Sequence, residues 1–357
     1  MPAGERPDEP RYDPPVVAAV VVTCNRRQLL LEALAAVRAQ SRAPDAVIVV
    51  DNASADGTAA AVRRHHPSVR LAELTRNTGG AGGFAYGTAL ALDGGADLIW
   101  FMDDDTVPGP GALRALLAAR EGYPGQPPAL VASRVLWTDG RAHPMNTPRR
   151  KPFASQAERL AAAAVGCQPI RSASFVSVLV DAGVCRRRGL PRADYFLWND
   201  DFEFTTRLLR GHPGLLCPAS VVVHKTAAFG STDTDPGERF FYEVRNKIWM
   251  FRDPAPLAPV ERMAYAGSTL RRWARTFAGS RDRRTLGSSL VRGIAAGVRA
   301  GPRPNGEVLA EAGPRLPERG DARRAGGHQG DHGGQLVPPG ELVDVRGEQD
   351  HRGRAGQ

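Results

Sequence analysis

Apolar strands alternate with helices along the first hundred residues, and this alternation restricts the fold of the chain more than any other feature. The first run, residues 16–23, is rich in β-branched residues and lacks polar alternation, as expected for a strand buried on both faces. The predicted strands are 16–23, 46–50, 69–74 and 98–102, and the predicted helices between them are 26–40, 58–65 and 82–92. Because strand–helix–strand units of this length form right-handed crossovers, the sequence predicts an α/β fold with a mostly parallel, Rossmann-like sheet and helices on both faces.

Polar residues follow three of these strands. Asp51 follows the second strand, Asn77 follows the third, and the triplet Asp103-Asp104-Asp105 follows the fourth. Since the ligands of open parallel sheets bind beyond the carboxyl ends of the strands, these side chains are predicted to meet at one site.

The aspartate triplet carries the strongest chemical signal at this edge. Three neighbouring carboxylates repel one another unless a cation lies among them. A hard divalent ion takes oxygen ligands and keeps positions open for substrate phosphates, so the triplet indicates metal-assisted chemistry on a phosphorylated donor. The alternative is a solvated acidic turn, which an isolated triplet fits equally well.

Two further segments at the same edge favour a nucleotide. Residues 77–84 contain four glycines within five positions, a composition that costs chain entropy and favours close backbone approach to a diphosphate or a sugar. The segment lacks the Lys-Ser/Thr ending of a P-loop, which argues against an ATPase. Residues 51–54 (Asp-Asn-Ala-Ser) fit either a turn with a helix cap or a carboxylate that accepts hydrogen bonds from a base or ribose.

The second half of the chain adds three candidate features. The acidic cluster 198–203 begins a predicted helix, where its acids either stabilise the helix dipole or include a general base for a sugar hydroxyl. His224 ends the strand predicted at 215–224 and is either a structural histidine or a further metal ligand. Arg245, within the helix predicted at 240–251, fits either an amphipathic surface or a substrate contact.

The basic charge of the chain is carried by arginine. Lysine and arginine number 47 against 38 acidic residues, which gives a net charge of +9, and only three of the basic residues are lysines. No nucleic-acid-binding signature accompanies this charge, whereas an anionic membrane surface or an acidic lipid-linked acceptor fits it. The arginines predicted for membrane attachment, with a solvated helical face as the alternative, are Arg271, Arg272, Arg275, Arg283 and Arg284.

Cysteine usage and the N-terminus indicate the expected location. The four cysteines are widely spaced without a zinc pattern, which predicts reduced thiols in a cytoplasmic protein. Residues 1–15 are polar and proline-rich, unlike a signal peptide, and no apolar stretch reaches the length of a membrane span. We therefore expect a cytoplasmic protein with a peripheral contact at the inner face of the plasma membrane.

Together these motifs resemble glycosyltransferase family 2, the inverting A-type transferases that use nucleotide-sugar donors. The matching segments are Val20–Thr23 with Arg26, Val49–Ser54, Arg76–Gly80, Asp103–Asp105 and Trp198–Asp201, within a region of about 16–251. Residues 77–84, and residues 237–241 together with 245–246, are most similar to the actinobacterial galactofuranosyltransferases, and the related rhamnosyltransferases share the general layout. The family's frequent Gln-x-x-Arg-Trp stretch is absent, although Arg271-Arg272-Trp273 echoes its end.

The resemblance implies a role for each candidate residue. Asp103, Asp105 and His224 would hold a manganese or magnesium ion. Asp201 would be the base that activates the acceptor hydroxyl, with Asp200 beside it engaging the acceptor. The donor would be bound by Asp51 at the uridine and by Thr23, Arg26, Asn77, Gly79, Gly80 and Asp104, and the acceptor by Trp198 and Arg245.

The sequence is predicted to fall into four parts. The predicted divisions are a flexible leader at 1–15, a catalytic domain at 16–255, a basic helical segment at 256–301 and a tail at 302–357. Within the catalytic domain, 16–110 would bind the nucleotide sugar and 111–255 the acceptor. Glycine, proline and charged residues dominate the tail, so it is predicted to be disordered.

The resulting prediction is a metal-dependent inverting glycosyltransferase that moves galactofuranose from UDP-galactofuranose onto a polyprenyl-linked cell-wall glycan. The alternatives are a rhamnosyltransferase that uses dTDP-rhamnose and a catalytically silent nucleotide-sugar-binding protein. A nucleic-acid-binding protein would need exposed aromatic residues among its arginines, and these are sparse. A nucleotidyltransferase would usually begin with a glycine- and lysine-rich signature, which this chain lacks.

Overall fold

The computed structural model of the chain describes residues 14–227, 229, 235–313 and 316. Within these residues, ten strands form one sheet with eleven α-helices around it. The strands are β1 (Val17–Thr23), β2 (Ala46–Asp51), β3 (Arg70–Glu73), β4 (Leu98–Asp103), β5 (Thr106–Pro108), β6 (Leu130–Leu136), β7 (Arg149–Arg150), β8 (Gln168–Ser172), β9 (Ser177–Asp181) and β10 (Gly214–His224). The helices are α1 (Arg27–Arg38), α2 (Thr58–His65), α3 (Gly79–Asp93), α4 (Ala112–Glu121), α5 (Gln156–Ala164), α6 (Ala182–Arg188), α7 (Asp200–Leu208), α8 (Phe240–Arg252), α9 (Pro259–Gly279), α10 (Arg283–Arg299) and α11 (Asn305–Ala310).

The sheet confirms the predicted α/β architecture. Its strand order is β3-β2-β1-β4-β9-β6-β10-β8-β7, with β5 paired to β10. Strands β5, β8 and β9 run opposite to all the others, so the sheet is mostly parallel. Because β1 pairs in parallel with β2 and β4, Thr23 lies beside Asp51, and Val22 lies beside Asp103. The carboxyl ends of these strands therefore meet at one edge, as predicted.

Both faces of the sheet are buried, which explains the uninterrupted apolar strands. One core layer receives Ala18, Val20 and Val22 of β1, and the other receives Val17, Ala19 and Val21. All seven residues of β1 are buried. A strand with apolar neighbours on each side cannot carry the polar alternation of a one-sided sheet.

Helix α3 begins at Gly79, three residues before the predicted start at residue 82. Its glycines allow the helix to lie unusually close to β1. A Cβ atom at Gly83 would come within 2.4 Å of Val22 Cγ1, and one at Gly87 within 2.4 Å of Val20 Cγ1. Part of the glycine richness therefore serves helix–sheet packing rather than ligand approach.

The basic helical segment consists of two helices, α9 and α10, separated at Ser280–Asp282. The side chain of Asp282 accepts a hydrogen bond from the backbone N–H of Thr285 at 3.0 Å, which caps the start of α10. Helix α10 then packs on α8, where a Cβ at Gly293 would lie 2.8 Å from Val244 Cβ.

The prediction that disorder begins at residue 302 is wrong for residues 302–313. Helix α11 lies here, and its Val308 and Leu309 are buried. A few apolar residues are enough to hold α11 in place, because polar contacts fix the chain at the start of the helix and just after its end. The Asn305 side chain donates to Pro191 O at 2.7 Å, and Ala312 O accepts from Thr75 N at 2.9 Å.

The remaining predictions about the chain ends concern residues that are not described. Residues 1–13 of the leader lie outside the described residues, and so does the predicted tail beyond 313 apart from Leu316. Within the described chain, no helix is both long and apolar enough to cross a bilayer. All four cysteines are free thiols.

Candidate active site

A cavity of about 1220 Å³ opens at the carboxyl edge of β1 and β4. Its walls come from that edge, from the start of α3, from the segment before α7, and from α8 and α9. Most of the predicted site residues line it: Thr23, Arg26, Asn77, Gly79, Gly80, Asp103, Asp104, Trp198, Asp200, Asp201 and His224. Asp51, Asp105 and Arg245 do not. One cavity thus receives both acidic clusters, from opposite halves of the sequence.

Strand pairing brings the three predicted metal ligands together. Asp103 ends β4, and the short strand β5 runs antiparallel to β10 with Thr106 opposite His224. Nε2 of His224 consequently lies 2.8 Å from Oδ1 of Asp105 and 3.9 Å from Oδ2 of Asp103. One ligand atom from each residue lies within 4.8 Å of the others. This spacing suits a single divalent ion.

The donor set also fits a cation chemically. Within the described chain, Oδ1 of Asp105 is buried, and its nearest polar neighbour across the site is Nε2 of His224 at 2.8 Å. Asn146 Oδ1 lies 2.9 Å from Nδ1 of His224, so a proton on Nδ1 would leave Nε2 as a lone-pair donor. A hard oxygen-and-imidazole site of this kind is typical of Mn²⁺ or Mg²⁺.

The electrostatic environment of the two aspartates favours a bound cation. Burial and the neighbouring Asp105 raise the pKa of Asp103 to about 7, against the opposing effect of His224. The exposed part of the Asp103 side chain, 36% of its surface, faces the cavity. Burial alone would raise the pKa of Asp105 as well, but contact with His224 and the charge of Arg26 lower it. A divalent ion would keep both carboxylates ionised.

Asp104 is held away from the metal ligands by β1 and α1. It accepts hydrogen bonds from Thr23 Oγ1 at 2.8 Å and from Arg26 at 3.1 Å. Arg26 also donates to Oδ2 of Asp105 at 2.8 Å, while about half of its side chain stays exposed at the cavity. Arg26 therefore fixes the aspartate turn and presents positive charge to any bound anion.

Asp51 does not reach the cavity. Its buried carboxylate accepts a hydrogen bond from Ser54 N at 2.9 Å, which is the turn role that the sequence left open. The neighbouring Asn52, which sequence reasoning did not assign to the site, lines the cavity instead. Its amide bonds Thr78 N at 2.8 Å and Gly79 O at 2.7 Å, so it ties the end of β2 to the start of α3.

Gly79 permits a close approach between two walls of the cavity. Its backbone has a φ of +71°, and a Cβ atom there would lie only 1.9 Å from the carbonyl oxygen of Phe196. The same oxygen accepts a hydrogen bond from Ala81 N at 3.1 Å. Gly80, by contrast, has open space around it and faces the cavity. The start of α3 thus seats the loop that precedes α7.

That loop is strained and is held from behind by α8. Three non-glycine residues, Phe196, Trp198 and Asn199, have positive φ angles of 63–64°. The amide of Asn246, which is fully buried, lies within 3.0 Å of the carbonyl oxygens of residues 195, 197 and 198. Arg245 donates to Asp194 O at 2.7 Å. The prediction that Arg245 contacts the acceptor is therefore not supported by its position, because its guanidinium supports the loop and stacks on a tryptophan.

The second acidic cluster begins α7 beneath this loop. Burial raises the pKa of Asp201, although Lys247 and Arg149 partly oppose the shift. Burial and the charge of Asp201 raise the pKa of Asp200 well above its ordinary value. A carboxylate with a raised pKa is a better proton acceptor than a solvated one. Both side chains line the cavity that also holds Asp103.

Three residues of the cavity wall were not predicted as site residues from the sequence. They are Glu243 of α8 and Arg272 and Trp273 of α9. The carboxylate of Glu243 accepts hydrogen bonds from Asn199 Nδ2 at 2.7 Å and Trp273 Nε1 at 3.1 Å, and it pairs with Arg272. Glu243 thus joins Arg272 and Trp273 to Asn199, which also lines the cavity. The sequence feature that could have identified two of them is Arg272-Trp273, which matches the end of the family's Gln-x-x-Arg-Trp stretch. Helix α9, which belongs to the predicted basic helical segment, therefore forms part of the site wall.

Comparisons with known proteins agree with this geometry. The model of the family "Glycosyl transferase family 2" matches residues 18–161. Galactofuranosyltransferase GlfT1 of Mycobacterium tuberculosis H37Rv is 31% identical over 259 residues, which cover 67% of this chain and 83% of that protein. GlfT1 of Mycolicibacterium smegmatis is 51% identical over 94 residues, which cover 26% of this chain and about a third (31%) of that protein.

A solved structure shows the same fold. S. aureus TarS, residues 1–349, in complex with UDP-GlcNAc, has a TM-score of 0.52 and 16% identity, and the match covers 78% of this chain and 81% of that chain. The sheet is thus that of an A-type glycosyltransferase. On sequence and fold alike, this chain is a glycosyltransferase and belongs to glycosyl transferase family 2.

Proposed function

We propose that this protein is a metal-dependent, inverting galactofuranosyltransferase that uses UDP-galactofuranose and a polyprenyl-linked glycan acceptor. The observation that carries the proposal is the meeting of two acidic clusters in one cavity. Asp103, Asp105 and His224 form one cluster, and Asp200 and Asp201 form the other. The relatives named as galactofuranosyltransferases support the choice of sugar. The TarS complex with UDP-GlcNAc supports a uridine nucleotide.

At the donor end, Asp103, Asp105 and His224 would hold Mn²⁺ or Mg²⁺, which neutralises charge on a departing nucleoside diphosphate. Arg26 adds a fixed positive charge from the other side of the aspartate turn. The nucleotide would lie along Thr23, Asn77, Gly79, Gly80 and Asp104, with Asp51 bracing the turn behind it. These walls orient the donor, and orientation lowers the entropy cost of the displacement.

At the acceptor end, Asp201 takes the proton of the incoming hydroxyl while that oxygen attacks the anomeric carbon. The carbon–oxygen bond to the diphosphate breaks on the opposite face, so one displacement inverts the configuration. Asp200 hydrogen-bonds the acceptor, and Trp198 offers a ring to the sugar. Trp198 is 36% exposed at the cavity, an arrangement that suits stacking on a sugar face.

We also propose a cytoplasmic location with a peripheral contact at the inner face of the plasma membrane. Helices α9 and α10 carry exposed apolar side chains, among them Met263, Leu270 and Val291. Exposed arginines such as Arg271 and Arg284 lie on the same helices. Apolar and basic residues together favour an anionic lipid surface, at about 1 kcal/mol per basic residue. Co-sedimentation with phosphatidylglycerol vesicles, compared with phosphatidylcholine vesicles, tests this contact.

A donor screen tests the reaction. UDP-galactofuranose, UDP-galactopyranose and dTDP-rhamnose are each supplied with Mn²⁺ and a lipid-linked acceptor, and nucleotide release is measured. We expect acceptor-dependent release from UDP-galactofuranose alone. Release from dTDP-rhamnose would favour the rhamnosyltransferase alternative, and nucleotide binding without release would favour the silent binding protein.

The metal site has its own test. Asp103→Ala is expected to abolish the gain in UDP affinity that Mn²⁺ provides, measured by calorimetric titration of UDP with and without the metal. The control is Asp93→Asn, which changes an exposed carboxylate at the far end of α3. An unchanged metal effect in Asp103→Ala would contradict the proposed ligand set.

A further inference from the structure

A second, smaller cavity adjoins the active site and is lined by positive charge. It has a volume of about 190 Å³ and lies between β7, α8 and α9. Four basic side chains line it, Arg149, Lys247, Arg272 and Arg275, together with the hydroxyl groups of Tyr265 and Ser268. No carboxylate is among the lining residues. We refer to it as the basic cavity.

Lys247 is the most informative residue of the basic cavity. It is buried, with only 3% of its surface exposed, and the carboxylates of Glu243 and Asp201 act on its charge. Its ammonium lies 4.2 Å from the ring centroid of Phe202. A buried ammonium is costly unless counter-charge reaches it, and burial lowers the pKa of Lys247 despite these carboxylates, so an anion in the cavity would supply further counter-charge.

The surrounding charges strengthen this reading. Burial lowers the pKa of Lys247 to about 7 even though Glu243 opposes the shift, and Arg272 and Arg149 lower it further. Glu243 compensates part of this charge, because its carboxylate pairs with Arg272, but it also accepts hydrogen bonds from two donors of the active-site wall. The lining of the basic cavity therefore brings four basic side chains together without a carboxylate among them.

The basic cavity lies on the acceptor side of the active site. Arg149 and Arg272 line both cavities, so the two spaces adjoin. Lys247 and Arg149 both act electrostatically on Asp201, the proposed base. Phe202, which follows Asp201, carries the Lys247 ammonium over its ring. The metal ligands belong to β4, β10 and the turn between β4 and β5, away from these elements.

We propose that the basic cavity is a second anion site, which binds a phosphate or diphosphate group of the acceptor. Guanidinium groups match phosphate oxygens with paired hydrogen bonds, and an ammonium and hydroxyl groups complete such a site. The site would anchor the acceptor by its charged end while the acceptor hydroxyl meets Asp201. The anion site stands on its own contacts, and only its assignment to the acceptor rests on the proposed function.

Titration of the full-length protein with inorganic pyrophosphate in EDTA tests the site without the metal centre. We expect saturable binding to the wild type, at least tenfold weaker binding to Lys247→Met and several-fold weaker binding to Arg275→Gln. The matched controls are Lys151→Met, which removes an ion-paired lysine elsewhere, and Arg281→Gln, which removes an exposed arginine between α9 and α10. Equal affinities in the wild type and Lys247→Met, or no saturable binding at all, would overturn the proposal.

Two further measurements identify the source of the anion. Farnesyl diphosphate should bind in EDTA and lose affinity in Lys247→Met in parallel with pyrophosphate, whereas UDP affinity with Mn²⁺ should stay within twofold. In the transfer reaction, the KM for the acceptor should rise and the KM for the donor should not. A rise in donor KM instead would refute the acceptor assignment. Pyrophosphate binding that depends on Lys247, in a protein without transferase activity, would refute the proposed function and leave the anion site standing.

Discussion

His224, one of the three proposed metal ligands, is oriented by a side chain that lies far from it in the sequence. Asp103 and Asp105 follow a strand that any pattern of apolar runs identifies, and His224 ends another. The partner of His224 comes from a region without regular pattern, a short turn that contains Asn146. Sequence spacing cannot show such a contact, because 78 residues separate the two side chains. Ligand types thus follow from local chemistry, whereas their orientation depends on tertiary structure.

We expect Asn146→Ala to weaken Mn²⁺ affinity by about 10- to 100-fold, the range found when the hydrogen-bond partner of a metal-binding histidine is removed. Without Asn146 Oδ1, nothing from that turn fixes the His224 ring at Nδ1. Mn²⁺ titration followed by electron paramagnetic resonance of the free ion measures the change. Ser174→Ala, which removes only a 3.3 Å contact to the Asn146 amide, is the control and should bind Mn²⁺ normally. Equal affinity in Asn146→Ala would show that Asn146 does not support the ligand.

We expect Asp201→Asn to lower kcat by about 100- to 10,000-fold while UDP binding in Mn²⁺ stays unchanged, since loss of a general base has this magnitude. The base acts when it is deprotonated, and burial raises its pKa. In the wild type, kcat/KM should therefore fall as pH falls through that raised pKa, and the fall should begin above the ordinary range of a carboxyl. Stopped assays of nucleotide release across pH provide the measurement. Normal turnover in Asp201→Asn would assign the base to another group.

At the element scale, the parallel half of the sheet followed from the apolar runs, and the loop before α7 did not. Strands buried on both faces have a sequence signature that needs no knowledge of their partners. The loop owes its conformation to Asn246, which holds three backbone carbonyls around residues with positive φ. Backbone strain of this kind persists only where surrounding contacts impose it, so the local sequence does not predict the conformation of the loop. The same reasoning applies to Arg245, because its contacts with Asp194 O and Tyr195 O do not follow from the local sequence.

The start of α3 offers a matched pair of substitutions for this loop. Gly79→Ala should lower the free energy of unfolding by about 1–3 kcal/mol, because the residue has a φ of +71° and a Cβ would lie 1.9 Å from Phe196 O. Gly80→Ala should change it by less than about 1 kcal/mol, since nothing lies near a Cβ at that position and alanine favours a helix. Urea denaturation measures both. A loss of stability in Gly80→Ala as large as in Gly79→Ala would contradict this account of the turn.

At the scale of the whole molecule, the active site depends on segments that the sequence assigned elsewhere. Helix α9 supplies Arg272 and Trp273 to the cavity wall, and Glu243 of α8 joins them to the loop before α7. Composition predicts a separate basic segment at 256–301 because it gives the number of arginines and not the direction of each side chain. Arg272 points inward, whereas Arg271 next to it is exposed. The net charge therefore predicts an anionic ligand, but it does not predict where on the protein that ligand binds.

The buried charge of Lys247 should also appear in the stability of the whole molecule. Its pKa is lowered to about 7 from an unfolded value near 10.5, so between these pH values the unfolded chain binds a proton that the native chain does not. Stability therefore rises with pH across this window, and below pH 7 the full cost of the buried charge remains. The groups that face it are Glu243 and Asp201, which favour the charge, and Arg272 and Arg149, which oppose it.

We accordingly expect Lys247→Met to be more stable than the wild type at pH 6, by an amount on the order of a few kcal/mol, and this difference should shrink by pH 9. Urea denaturation at the two pH values measures it, with Lys151→Met as a control that should change stability by less than about 1 kcal/mol at either pH. Pyrophosphate at pH 6 should stabilise the wild type and not Lys247→Met, because only the native wild type binds the anion. A Lys247→Met protein that is no more stable at pH 6 would mean that Glu243 and Asp201 already compensate the charge of Lys247, and this charge would then not require an anion.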